Sequence, residues 1–346
     1  MWAIDNRTPF AAERGGARDR DGAEIWLVCV KASFDLLDDG SVQLATEQEP
    51  VHMAPAFQGD PASSSLTHDT DLQWGKPGTD VLLRGSAFSC EGHVPRLPVA
   101  FQVGPVRRQA VIVGERVWER ALGGVVPTPA NPFTSQPLTW ERAFGGTDRS
   151  DGTMAWEPRN PVGRGFSRDR AQSPGSPLPT IEHAQQPIRS AADRTAPIGF
   201  GPIARHWHPR ATFAGTYDAA WMRDRRPLLP RDYDLRYHFA APAEQQVPGH
   251  LRGGETIRLA NLHPRVSRYS CTVPSVDLRF RTVFRGRDSI HHTGKLTSLT
   301  LDTDRSRLIM AWISELPCHH TIQRLLRTEI RLVPRVRVPA ARRAAA

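Results

Sequence analysis

The chain has 346 residues and a formal net charge of +9, with 39% hydrophobic and 23% charged residues. A chain of this length can bury roughly three-quarters of its surface, and this composition excludes a disordered chain, a collagen and a coiled coil. Residues 321–346 carry seven arginines against Glu329, a net of +6, which leaves only +3 for the other residues. We therefore expect no nucleic-acid partner, and the basic end is a weak clue to an acidic one.

The first ten residues lack the apolar run of a signal peptide, because Asp5 and Arg7 interrupt them. Nowhere do eighteen apolar residues follow one another. We expect a soluble, cytoplasmic protein without a membrane partner. The four cysteines lie far apart with no C-x-x-C pair, which predicts reduced, mostly buried thiols at Cys29, Cys90, Cys271 and Cys318.

The N-terminal third is rich in predicted strands. Residues 24–36 are dense in β-branched and aromatic side chains and too short for a surface helix, which predicts a core strand. Glycine and proline turns separate the next apolar runs. These runs predict strands at 81–88, 97–103, 110–113 and 117–118.

Residues 123–231 have a different composition, because they hold 15 of the 30 prolines and 11 of the 27 glycines. Regular structure must be interrupted there. The same stretch is too rich in aromatic residues for a flexible linker, so we predict long, ordered loops pinned by buried aromatics. The tryptophans concerned are Trp140, Trp156, Trp207 and Trp221. Thr216 is a candidate cap of a short helix that Pro227 ends.

Strand patterns return in the C-terminal third. Apolar and polar residues alternate over 278–285, which places Arg279, Arg281 and Arg285 on a solvent face. Residues 298–301 and 307–312 predict a hairpin. The spacing of Ile322, Leu325 and Leu326 indicates one or two helical turns.

These patterns predict a mainly β fold, with two antiparallel, sandwich-like sheet regions, a loop-dominated ordered centre and few short helices. The predicted regions are a β-rich segment at 1–122, the proline- and glycine-rich centre at 123–235, a second β-rich segment at 236–338 and a disordered basic and alanine-rich tail at 339–346.

Motifs of common enzymes are absent: the sequence has no G-x-S-x-G, H-E-x-x-H or G-x-x-x-x-G-K-[ST]. The glycines of Gly199-Phe-Gly201 match part of a dinucleotide-binding turn, but Pro197 and Pro202 stand where its strand and helix belong, so we predict a plain turn. We expect no cofactor and no small-molecule substrate. Carboxylates that an acid/base pair would require are present at Glu141, Asp148, Asp151, Asp232 and Asp234, but capping or pairing with nearby arginines is the better explanation for them.

Metal-type ligands occur at His291, His292, Cys318, His319 and His320. Neighbouring histidines on a strand point to opposite faces, so a site requires residues of the two groups to meet across strands. Whether they bind a metal is left open.

The densest stretches run from Trp140 to Asp148 and from Trp156 to Phe166. Paired glycines permit tight turns or a close neighbour, and arginines between aromatics permit stacking. Either a structural clasp or a binding surface fits this composition. With two later segments, they supply the candidate site residues: Trp140, Glu141, Arg142, Gly145, Gly146, Thr147, Asp148, Arg159, Asn160, Pro161, Gly163, Gly165, Phe166, Gly199, Gly201, Pro202, Trp207, Pro209, Arg210, Gly215, Tyr217 and Asp218.

At these segments the chain resembles the bacterial family catalogued as domain of unknown function 2169 (DUF2169). The resemblance continues over nearly the whole chain, including Asp5–Phe10, Trp26–Phe34, Lys76–Val81 and Leu251–Glu255. It implies a non-enzymatic cytoplasmic adaptor or chaperone of type VI secretion, whose partners are an effector toxin and the VgrG spike with its PAAR tip. It implies no catalytic residue, cofactor or metal. The alternative is a carbohydrate- or cell-wall-active enzyme that uses the central carboxylates.

Overall fold

The structure is a computed structural model that describes residues 2–150, 152–168, 172–191, 193, 195–319 and 321–333. Asp151, His320 and the predicted tail at 339–346 lie outside the described residues. No helix in this described part is long and apolar enough to cross a bilayer.

The first half of the chain forms strands joined by short turns. In chain order they are β1 (Ala3–Asn6), β2 (Ala11–Arg18), β3 (Glu24–Leu36), β4 (Val42–Leu44), β5 (Ala56–Phe57), β6 (Leu66–His68), β7 (Gly78–Arg84), β8 (Ser86–Phe88), β9 (Arg96–Val103), β10 (Val106–Val113), β11 (Trp118–Ala121), β12 (Gly124–Pro127), β13 (Ser135–Pro137), β14 (Phe144–Gly145) and β15 (Thr147–Asp148).

The second half begins with short strands and ends with long ones. They are β16 (Ala155–Trp156), β17 (Arg164–Gly165), β18 (Ile181–Glu182), β19 (Gln246–Pro248), β20 (Thr256–Ala260), β21 (Arg268–Thr272), β22 (Leu278–Phe284), β23 (Arg287–Thr293), β24 (Lys295–Asp302), β25 (Arg307–Pro317) and β26 (Leu325–Leu332). The helical elements are α1 (Ala219–Asp224) and 3-10 turns at Trp140–Arg142, Arg210–Phe213, Leu235–His238, Ala243–Gln245 and Ile322–Arg324.

Three large sheets contain the long strands, and five two-stranded sheets in the described part of the chain contain β5, β6, β8 and β11–β17. The largest has the order β19-β7-β24-β25-β3-β2, with β4 also paired to β3; a second has the order β18-β10-β9-β20-β21, and a third the order β1-β26-β22-β23. The prediction of a mainly β fold with few short helices is confirmed. The sheets also combine both ends of the chain, since β3 pairs antiparallel with β25 and β7 pairs parallel with β24.

Strand β3 lies at the centre of the packing because its alternate side chains enter two different apolar clusters. Trp26 and Val28 belong to the main core, and Leu27 and Cys29 to a smaller one on the opposite face. The indole N–H of Trp26 donates to Thr328 Oγ1 at 2.9 Å, which fixes the third sheet against the first.

Some of the predicted local elements agree with the structure and others do not. The core strand at 24–36 and the hairpin of β24 and β25 are confirmed. The short helix exists, but its cap is Asp218, whose carboxylate accepts from Trp221 N, so the assignment to Thr216 is wrong. The helical turn at 322–326 is also wrong in part, because Leu325 and Leu326 already belong to β26.

Candidate functional site

The candidate site residues form a clasp between three loop segments beside strand β7. The Trp140 indole N–H donates to the carbonyls of Gly201 and Pro202 at 3.2 and 3.1 Å, and its ring packs edge-on against Trp207 at 5.9 Å between centroids. The carbonyl of Phe200 accepts from Leu83 N of β7 at 3.1 Å. The clasp therefore continues the edge of the largest sheet.

Glycines allow the segments of this clasp to lie very close to one another. A Cβ on Gly199 would lie 2.7 Å from the ring atoms of Trp140, and one on Gly163 would lie 2.4 Å from Asn160 Nδ2. That amide is fully buried and donates to the carbonyls of Trp140 and Phe144, both at 2.9 Å. Only glycine fits at these contacts.

The charged members of the set are engaged locally. The Glu141 carboxylate accepts from Ser65 N and Ser65 Oγ at 2.7 and 3.0 Å. The Asp148 carboxylate accepts from the backbone of Arg168 and Ser150, and these hydrogen bonds lower its pKa to about 2. The Asp234 carboxylate, another of the predicted acid/base candidates, forms an ion pair with Arg236. Each of these three carboxylates therefore bonds to a different local partner.

Arg210 is the most completely bound charge of the clasp. Its guanidinium is 1% exposed, donates to the carbonyls of Tyr237 and Ile203 at 2.8 and 2.9 Å and pairs with Asp69. It ties the central loops to the segment before β7.

The structure brings many, but not all, of the candidate residues into the interior. Buried are Trp140, Gly145, Gly146, Asn160, Gly199, Gly201, Pro202, Trp207 and Arg210. Half-buried are Glu141, Arg142, Asp148, Pro161, Gly163, Gly165, Phe166 and Gly215. Exposed are Thr147, Arg159, Pro209, Tyr217 and Asp218. Of the aromatics predicted to pin the loops, Trp140 and Trp207 are buried, whereas Trp156 is 47% exposed and Trp221 half-buried, so the prediction was wrong for Trp156.

A polar cleft beside the clasp was missed by the sequence reasoning. It has a volume of about 550 Å³ and lies between the ends of β7 and β24 and Trp140. Glu49 of this cleft pairs with Arg84, which also pairs with Asp302. Glu49 also forms an ion pair with Lys31 of β3 and a hydrogen bond with His52. The one available signal was Lys31, a lysine inside the apolar run of β3.

The surroundings of the cleft shift the pKa values of Glu49 and His68 away from the neutral range. Burial alone raises the pKa of Glu49, but the hydrogen bond from His52 and the charges of Lys31 and Arg84 outweigh it and hold that pKa well below its usual range. Burial lowers the pKa of His68, which stacks on His52, to about 4. Glu49 therefore stays ionised and His68 stays neutral near neutral pH.

The candidate metal ligands have other partners. The imidazole of His292 hydrogen-bonds with Thr282 Oγ1 at 2.8 Å and with Ser314 Oγ, and Cys318 Sγ donates to the carbonyl of Leu316. His291 lies next to His292 on β23 and is exposed. In the described part of the chain, no three His, Cys, Asp or Glu side chains are grouped as a metal site requires.

The half-buried His292 predicts a loss of stability in mild acid. Burial lowers the pKa of His292 to about 4 from its ordinary 6.5. The unfolded chain therefore binds more protons between these values, and the free energy of unfolding falls as the pH drops through that window. In His292→Gln, the fall between about pH 7 and pH 4.5, measured by urea unfolding, should be smaller by about 2 kcal/mol. Equal falls in the two proteins would show that His292 titrates normally.

Strand β2 is an open edge of the largest sheet. Among the described residues its backbone hydrogen-bonds only to β3. A groove of about 660 Å³ runs along it between Trp2, Met53 and Ile322. Trp2 is 44% and Met53 55% exposed, so two apolar side chains border unpaired backbone groups. Such an edge is a template for another strand.

A family model described as "Uncharacterized protein conserved in bacteria (DUF2169)" matches residues 21–313, and the chain therefore belongs to that family. Comparisons with curated proteins and with solved structures give no match.

Proposed function

We propose that this member of the DUF2169 family is a non-enzymatic cytoplasmic adaptor, which holds a type VI secretion effector and helps to load it onto the VgrG spike with its PAAR tip. The link to type VI secretion comes from the resemblance to this family. The observation that carries the binding mechanism is the open edge of β2 beside the exposed side chains of Trp2 and Met53.

The geometry of this edge supports binding by strand addition. Every second residue of β2 directs its N–H and C=O away from β3, so an extended segment of the effector can pair with them. The eight residues of β2 span about 26 Å, which is enough for a strand of ordinary length. Alternate side chains of the effector segment would then enter the groove between Trp2 and Ile322.

The same edge carries features that limit unwanted pairing. Arg14 and Arg18 are exposed on β2, and charged side chains on an edge oppose aggregation of identical sheets. Gly15 and Gly16 leave the middle of the strand without side chains, so backbone can approach there. This combination suits a strand that accepts a specific partner.

The carboxylates support a role without catalysis. Glu141, Asp148 and Asp234 each bond to a different local partner. The rival function, a carbohydrate-active enzyme, requires two of them to face one substrate across a fixed gap.

Co-purification with the effector encoded beside this gene tests the proposal. The native chain should retain the effector. Trp2→Ser/Met53→Ser should weaken that complex by about tenfold or more, because it removes the apolar border of the groove. Gly16→Gln should do the same by filling the floor, since a Cβ at Gly16 meets only Ile322 Cδ1 at 3.9 Å and the fold should tolerate it.

Two matched controls keep this experiment specific. Leu122→Ser/Met154→Ser removes apolar side chains that are also exposed, and Gly59→Gln changes another glycine, whose added Cβ would meet only Ser64 at 3.8 Å. Both should retain the effector at native affinity. Failure of the native chain to bind the effector, together with normal secretion after deletion of the gene, would refute the adaptor function.

A further inference from the structure

The outer face of the five-stranded sheet carries three arginines that point to solvent. They are Arg107 on β10, Arg258 on β20 and Arg268 on β21, all exposed. The strand register places Gln102 of β9 opposite both Arg107 and Arg258, so these three side chains form one row across the sheet. Arg268 belongs to the next row, opposite Ala260.

These three charges are left unneutralised. Within the described residues, none of the three guanidinium groups forms a hydrogen bond or ion pair. Arg108, the neighbour that points to the opposite face, pairs instead with Glu244 at 3.4 Å. No Asp or Glu lies among the described residues that line the depression on this face, which has a volume of about 730 Å³.

The shape of the face admits a bulky ligand. Ala100 and Ala260 lie opposite each other in the register and make a low floor between the arginines. Gln102, Gln109 and Ser270 also line the depression and supply neutral donors and acceptors. A basic rim around a shallow, small-residue floor is complementary to a segment that carries several separate negative charges.

We infer that this face docks an acidic polypeptide segment. Arg107 and Arg258 lie two strands apart, a backbone separation of about 10 Å, and Arg268 lies in the next row, so the positive charges are spread over the face in a way that suits separate carboxylates of one chain. The aromatic side chains nearest the face, Phe101 and Tyr269, are buried on its other side, so the bases of a nucleic acid find no stacking platform here.

This docking face is separate from the proposed effector-binding edge of β2, because it lies on a different sheet. An adaptor joins two polypeptides, and a second, basic surface allows it to bind an acidic partner while a strand occupies β2. The inference does not depend on the effector, because a chain that bound no effector at β2 would still bind acidic segments here.

Binding of a fluorescent deca-glutamate peptide to the full chain, measured by anisotropy, tests the inference. The triple variant Arg107→Gln/Arg258→Gln/Arg268→Gln should bind about tenfold more weakly or worse. The control Arg120→Gln/Arg189→Gln/Arg231→Gln removes the same net charge from exposed arginines elsewhere and should change the affinity less than about twofold. Arg258→Gln alone should weaken peptide binding by an intermediate factor, which tests the face with a single substitution.

Three results would overturn the inference. Equal losses in both triple variants would mean that the peptide responds only to net charge. Patch-dependent binding of deca-thymidylate that is tighter than binding of the peptide would assign the face to nucleic acid. Displacement of the peptide by millimolar inorganic phosphate would assign it to a small anion.

Discussion

Gly199→Ala is expected to lower the free energy of unfolding by about 2–4 kcal/mol. The added methyl would lie 2.7 Å from three ring atoms of Trp140. The ring cannot move away cheaply, because its N–H donates to the carbonyls of Gly201 and Pro202 and it packs against Trp207 in an edge-to-face arrangement. Urea unfolding at neutral pH measures the loss.

The neighbouring glycine supplies a matched control. A Cβ on Gly201 would meet nothing closer than 3.8 Å, so Gly201→Ala should cost less than about 1 kcal/mol. In a Trp140→Leu background, Gly199→Ala should lose most of its effect, because the smaller side chain leaves room for the methyl. Equal costs for the two alanine variants in the native background would show that the clasp is not closely packed.

Arg210→Met should destabilise the fold by about 3–5 kcal/mol, because Asp69 loses its closest cation and keeps only the more distant, exposed Arg205, and the carbonyls of Tyr237 and Ile203 lose their donor. Arg210→Lys should recover only part of this loss, since an ammonium cannot donate along the same fork. The effect of Arg210→Met should shrink in acid, where protonation of Asp69 removes the poorly compensated charge. Unfolding in urea at neutral and acidic pH measures both effects.

Arg205 is the control for this pair. It also faces Asp69, at 3.6 Å, but its side chain is 42% exposed, so Arg205→Met should cost less than about 1 kcal/mol. A cost for Arg205→Met as large as that for Arg210→Met would mean that general charge near Asp69, and not the buried fork, stabilises the clasp.

Strands were predictable from sequence where their pattern is local. The apolar run at 24–36 and the period of two over 278–284 need no knowledge of the rest of the chain, and both are strands. Arg281 departs from a purely solvated face, because it is half-buried and bonds to Glu329 on the neighbouring strand. That partner lies 48 residues away, so no local pattern reveals it.

Cap and turn assignments failed where two residues compete for one role. Thr216 and Asp218 are both good caps, and the choice falls on Asp218 because Asp232 engages Thr216 through its backbone N–H and its hydroxyl. At 322–326 the helical spacing extends for only one turn, and pairing of Leu325 with Phe284 turns the remainder into a strand.

The site was predictable only as a set of unusual segments. Their glycines and tryptophans indicate tight packing, and the contacts of Trp140 with Gly199 and Gly201 account for it. The polar cleft escaped prediction because its members, such as Glu49, Arg84 and Asp302, come from distant parts of the chain. The open edge of β2 depends on the sheet order, which sequence patterns do not determine.

Amide hydrogen exchange of the chain, free and with the effector proposed as its partner, tests most directly whether another polypeptide adds a strand to this edge. We expect new protection concentrated on alternate amides of β2, residues 11–18, with β3 unchanged because it is already paired on both sides. A stable complex that leaves β2 unprotected, and protects the polar cleft beside Trp140 instead, would contradict the account.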